Sequence, residues 1–214
     1  MGPEASSSRT EAEPKSAPDA AASAESLRRS IYRARRALRD IAACSDFTHF
    51  VTLTLDAARI DRYDYDAIIK RVNTWLSNAV ARKGLAYVLV PEFHADGAIH
   101  FHGLIRGSLL FVGSGHETAA GQIIYNLADW KFGFTACIEI SGEYDRVCNY
   151  IMKYITKDNR KVGGRWYLSG GDISRPTVSY CDADWREIDA KEYFIPEAAV
   201  SFKYLRVDKT EKTD

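Results

Sequence analysis

Apolar positions recur along this chain with two periods, one near 3.6 residues and one of two, and the switches between them mark its elements. Residues 1–25 show neither period. They are rich in Ala, Ser, Pro and Glu and are expected to form a disordered tail. Order is expected from about Ser26, where Leu27, Ile31, Ala34 and Leu38 recur at helical spacing. In the run Phe47 to Leu55, Val51, Leu53 and Leu55 alternate with Thr52 and Thr54, which predicts a half-buried strand. Tyr65 to Lys83 reads as a helix with Ile68, Ile69, Val72, Trp75, Leu76 and Val80 on its apolar face. Leu85 to Arg106 reads as a hairpin around Ala95-Asp96-Gly97. A Gly-rich loop and a short helix near Gln122 to Trp130 are expected next, then a strand from Phe134 to Ile140 and a helix from Tyr144 to Lys157. Arg165 to Leu168 and Thr177 to Cys181 are further strand candidates, and Phe194 to Val207 is ambiguous. The order predicts an α+β fold: a central antiparallel sheet of about five strands with helices packed on it. The expected domain spans residues 26–207, followed by a charged tail over 208–214.

Composition narrows the class. No apolar run reaches the length of a membrane span, and no signal-peptide pattern is present, so a cytoplasmic protein without a membrane partner is expected. Cys44, Cys137, Cys148 and Cys181 are scattered rather than paired, which speaks against a zinc knuckle and for free thiols. Net charge is zero, but the charges are segregated. Six arginines (Arg28, Arg29, Arg33, Arg35, Arg36, Arg39) face one aspartate between Ser26 and Asp40. Six cations face one aspartate between Arg146 and Arg165. Such segments are candidate phosphate-binding surfaces, and equally are what solvated helix faces look like.

Two segments carry candidate chemistry. In a strand, His100 and His102 project from one face and can share a metal ion, with Phe101 turned the other way. A two-residue Asp96-Gly97 turn would place Glu92 opposite Phe101, on the wrong face. A three-residue Ala95-Asp96-Gly97 loop, with glycine left-handed in a bulge, places Glu92 opposite His100. The second register is favoured because it completes a His-His-carboxylate site. Two nitrogens and one oxygen suit Mg²⁺ or Mn²⁺ as a Lewis acid, would also take Zn²⁺, Co²⁺ or Ni²⁺, and occur in non-haem iron oxygenases.

The second segment is Tyr150-Ile151-Met152-Lys153-Tyr154-Ile155-Thr156-Lys157, a tyrosine followed three residues later by lysine, repeated at spacing four. On a helix Val147, Cys148, Ile151, Met152 and Ile155 form the core face, with Tyr150 and Tyr154 beside it and Arg146, Lys153 and Lys157 beyond. A phenol with pKa near 10 needs neighbouring cations and a polarised phosphate to act as a nucleophile at neutral pH. A phosphotyrosine product conserves the energy of the broken phosphodiester. The bland alternative is an amphipathic helix with tyrosines at a core edge.

Taken in order, Phe50-Val51-Thr52-Leu53-Thr54-Leu55, His100-Phe101-His102 and the doubled tyrosine-lysine helix resemble the three motifs of the HUH endonuclease superfamily. The match is to its two-tyrosine rolling-circle replication initiators, encoded by small phages and some plasmids. The resemblance covers about Phe47 to Lys157. It implies a divalent ion on His100, His102 and Glu92, and nicking of a single-stranded DNA origin. The nick would leave a 3′-hydroxyl primer and a 5′-phosphate on tyrosine. Tyr150 with Lys153 and Tyr154 with Lys157 carry over as the catalytic pairs, in an order the motif does not reveal. No Walker-type phosphate loop is visible, so a separate helicase and a host polymerase, in a bacterial cell, are expected partners. The competing expectations are a transposase or relaxase of the same superfamily, and a non-catalytic module binding single-stranded nucleic acid.

Overall fold

The computed structural model describes the backbone of residues 20–142, 144–157, 160–177, 191–195 and 200–204, and side chains at 23–142, 144–155 and 160–177. The chain divides into two units, Met1–Pro176 and Thr177–Asp214. In the first, α1 (Ala20–Cys44), β1 (His49–Thr54), α2 (Tyr65–Lys83), β2 (Ala86–Phe93), β3 (Ile99–Arg106), β4 (Phe111–Glu117), β5 (Ile123–Leu127), β6 (Thr135–Glu139), α3 (Tyr144–Lys157) and β7 (Leu168–Gly170) follow in order. The second contains an antiparallel pair, β8 (Lys191–Ile195) and β9 (Val200–Tyr204). This pair occupies the stretch whose periodicity was ambiguous. Most of the candidate strand Thr177 to Cys181 lies outside the described residues.

The main sheet has seven antiparallel strands in the order β4-β5-β6-β1-β3-β2-β7, with α2 and the α1/α3 pair packed against it. The fold class is therefore the α+β arrangement expected, with two more strands than predicted. Alternation explains the layers. Val51, Leu53, Leu89, Phe101 and Ile105 point to one face and pack under Ile68, Val72 and Leu76 of α2. Val88, Val90 and Leu104 point to the other face and pack under Leu38 and Ile41 of α1 and Ile151, Met152 and Ile155 of α3. Each fully buried aliphatic side chain contributes about 1.5–3 kcal/mol relative to exposure.

Local signals set the element ends. The Asp64 carboxylate accepts from the Ala67 N–H at 3.0 Å at the start of α2. Gly84, at φ 59°, closes that helix in the left-handed conformation. By contrast, two expectations fail between Phe111 and Trp130. The Gly-rich stretch is strand β4, and the run read as a helix is strand β5. β4 is an edge strand, mostly exposed and bulged between Gly113 and His116, so it lacks alternation. Ile123–Leu127 is a short apolar run of ambiguous period, and pairing with β4 and β6 makes it a strand. α1 also starts earlier than predicted, at Ala20.

Gly103, next to His102, is a point of close contact between strands. A Cβ there would lie 2.4 Å from the Val88 carbonyl oxygen and 3.2 Å from the Leu89 Cα. Gly103→Ala is expected to destabilise the protein by about 1–3 kcal/mol or more, because backbone must move. Urea unfolding should show a lower midpoint with an unchanged slope.

Candidate active site

The site lies on the α1/α3 face of the sheet, where β1, β3 and β2 run side by side. The hairpin has the three-residue loop: His94 N–H donates to the Ala98 carbonyl and Gly97 N–H to the His94 carbonyl, both at 2.9 Å, with Gly97 at φ 88°. The resulting register pairs Glu92 with His100, and β1 pairs Thr54 with His100 and Thr52 with His102. Glu92 reaches diagonally, and its Oε2 lies 2.5 Å from His102 Nε2. Both side chains are largely buried, at 12% and 11% exposure.

Threonines engage the opposite nitrogens of both rings. Thr52 Oγ1 is 3.1 Å from His102 Nδ1, and Thr54 Oγ1 is 3.4 Å from His100 Nδ1. A hydroxyl can donate or accept, so these contacts suit either ring tautomer. They engage each ring through Nδ1, so that Nε2 is the nitrogen with which it could hold a cation. Burial first, then the neighbouring His94 and His102 rings, push His100 down to about 4, so its imidazole is neutral at pH 7. The donor chemistry therefore fits a divalent cation. Among the described residues, no three His, Cys, Asp or Glu side chains already stand as a cation cage. Glu92 and His102 hold each other directly, and an ion would have to part them.

α3 lies over this face. The Tyr154 ring stacks on His102 at 4.0 Å between centroids and 13° between planes. The Tyr154 hydroxyl donates to the Tyr150 oxygen at 2.9 Å. Lys153 Nζ sits 3.6 Å above the Tyr150 ring and 5.2 Å from that of Tyr154. Phe50 meets Tyr150 edge-on at 5.5 Å. The sequence placed the two phenols together, but it did not distinguish their surroundings. Tyr154 is 7% exposed and Tyr150 is 44% exposed. The hydrogen bond from Tyr154, and next the Lys153 ammonium, hold the Tyr150 phenol below its ordinary value. Burial, then the Tyr150 hydroxyl, push Tyr154 above it. Lys157 ends α3, and its side chain lies outside the described residues.

His100, His102, Glu92, Tyr150, Tyr154 and Lys153 thus converge on one face. Sequence reasoning missed Thr52, Thr54 and His94. The first two were visible as the polar half of the β1 alternation, but their partners depend on register. His94 has the same parity as Glu92, and its ring lies 3.7 Å from that of His100.

Fold and site together describe an antiparallel-sheet protein with paired histidines, a carboxylate and two helix-borne tyrosines on one face. The model of the family "replication-associated protein ORF2/G2P" matches residues 48–159, just over half of the chain, and the chain belongs to that family. No match was found among curated proteins or solved structures. No helix among the described residues is long and apolar enough to cross a membrane.

Proposed function

We propose that this chain is a metal-dependent endonuclease that initiates rolling-circle replication by nicking a single-stranded DNA origin. The observation that carries the reading is the stack of Tyr154 on His102 with its hydroxyl joined to that of Tyr150. It supports the reading because it would bring a nucleophile beside the cation that His100, His102 and Glu92 are proposed to hold. His100, His102 and Glu92 would hold Mg²⁺ or Mn²⁺, which supplies Lewis-acid polarisation of the scissile phosphate.

Tyr150 is the first nucleophile in this reading, because it is accessible and its phenolate is favoured. Its oxygen forms the new bond to phosphorus as the bond to the 3′-oxygen breaks. The phenolic proton ends on the released 3′-hydroxyl. The 5′-phosphate remains on Tyr150, and attack by a 3′-hydroxyl reverses the step without ATP. Tyr154 first serves as hydrogen-bond donor to Tyr150 and is held for the second transfer that ends a round. Lys153 stabilises the Tyr150 phenolate, and Lys157 is assigned the same part beside Tyr154. Arg28, Arg29, Arg33, Arg35 and Arg36, exposed on α1, offer phosphate contacts. A separate helicase and host polymerase, in the cytoplasm of a bacterial cell, complete the cycle.

The test is incubation with single-stranded DNA and Mn²⁺, followed by denaturing electrophoresis. A DNA-linked protein band that disappears when both tyrosines are replaced by Phe is expected. DNA retained in a native gel without such a band would leave only a binding module, or a nuclease that makes no tyrosine link. The pH dependence is a second check. Adduct formation should rise with pH to a midpoint below the ordinary phenol value. Lys153→Met should move that midpoint upward and slow the reaction about tenfold at pH 7.

A further inference from the structure

A cavity of about 470 Å³ opens beside Tyr150, between the β6 side of the sheet and the first turns of α3. That size lies within the roughly 300–1,000 Å³ range of small-molecule sites. Its walls are apolar, from Phe50, Ile138, Ile140 and Val147, and its polar lining includes Gln122, Ser141 and Arg146. The Gln122 amide is oriented by donating to Ser141 Oγ at 3.3 Å. Arg146 stands one helical turn before Tyr150, on the same side of α3.

Apolar walls that include the Phe50 ring, with a polar edge, match a nucleobase, which stacks by its faces and is read by its rim. Glu139 alternates with Ile138 and Ile140 and pairs with His49, which turns its carboxylate to the other face of the sheet. The cavity wall left by Ile138 and Ile140 is apolar and offers nothing to a phosphate, so the backbone stays at the rim, where Arg146 is exposed to meet it. The reaction geometry selects the nucleotide. In an in-line displacement the departing 3′-oxygen lies opposite the attacking phenol. The upstream nucleotide therefore leaves on the side away from Tyr150. The downstream nucleotide keeps its bond to the phosphate and lies to the side of the attack line, where the cavity opens. We propose that the cavity binds the base of the nucleotide whose 5′-phosphate becomes joined to Tyr150, and sets base preference immediately downstream of the cut. This rests on the nicking reading above.

The experiment uses the full chain, Mn²⁺ and a single-stranded oligonucleotide library with a randomised central segment. Covalent adducts are recovered, and the DNA attached to tyrosine is sequenced from its linked end. One base or base class should be enriched about fivefold or more at the first position. Gln122→Ala and Ala120→Trp, the latter on an exposed loop at the cavity lining, should reduce that enrichment below about twofold. Preferences at other positions should be retained in both variants. No enrichment at the first position, or enrichment unchanged in both variants, overturns the assignment while the nicking reading stands. Absence of any adduct with the parent protein overturns the nicking reading, and this inference with it.

Discussion

Tyr150→Phe should lower the yield of the first covalent DNA adduct by at least about 10³-fold, while Tyr154→Phe should lower it only about tenfold. The asymmetry follows from the two environments. Tyr150 is 44% exposed and its phenol is held below the ordinary value, whereas Tyr154 is 7% exposed and shifted the other way. Replacing Tyr150 removes the attacking oxygen. Replacing Tyr154 removes one hydrogen bond to that oxygen, at 2.9 Å, and keeps the ring that stacks on His102. A hydrogen bond to a developing anion contributes about 1.5 kcal/mol, which is about tenfold in rate. The double replacement should abolish the adduct. A labelled oligonucleotide under single-turnover conditions separates the cases. If Tyr150→Phe retained the adduct and Tyr154→Phe lost it, the order of use would be reversed.

Mn²⁺ should raise the melting temperature of the parent protein, and Glu92→Gln should abolish that rise while leaving the metal-free protein close to its original stability. At a metal concentration 100-fold above Kd, binding to the native state stabilises it by about 2.7 kcal/mol. For a chain of this size that corresponds to roughly 5–10 °C. Glutamine preserves the volume of Glu92 and can still hydrogen-bond His102, but it removes the charge a cation requires. His102→Ala should also abolish the shift. It should destabilise the metal-free protein as well, by about 3 kcal/mol, because it removes the ring that meets a largely buried carboxylate at 2.5 Å. A full Mn²⁺ shift in Glu92→Gln would remove Glu92 from the ligand set. No shift in the parent protein at millimolar Mn²⁺ would remove the metal from the mechanism.

Much of this site can be read from the chain because its parts rest on local rules. The bounds of α2 and α3 agree with their apolar spacing, and α2 begins and ends at Asp64 and Gly84. The hairpin register depended on a choice between two turns. The left-handed Gly97 and the His94–Ala98 bond select the bulged three-residue loop. That choice places Glu92 with His100 and His102, since a shift of one residue would turn its side chain to the α2 face.

What the sequence determined, then, is the identity and spacing of the groups: two histidines of one parity on β3, a carboxylate on the strand before it, and two tyrosines one turn apart on α3. These follow from periods of two and 3.6, which are properties of the backbone itself. Tertiary structure alone decided that β4 and β5 extend the sheet, because the bulged edge strand β4 lacks alternation and the short run of β5 takes its state from the strands on either side. It also decided that Thr52 and Thr54 meet the histidines, since cross-strand contacts depend on register between segments some fifty residues apart. Finally, it made the tyrosines unequal. Helical spacing assigns both to one edge, but only packing against His102 buries Tyr154 and leaves Tyr150 facing outward.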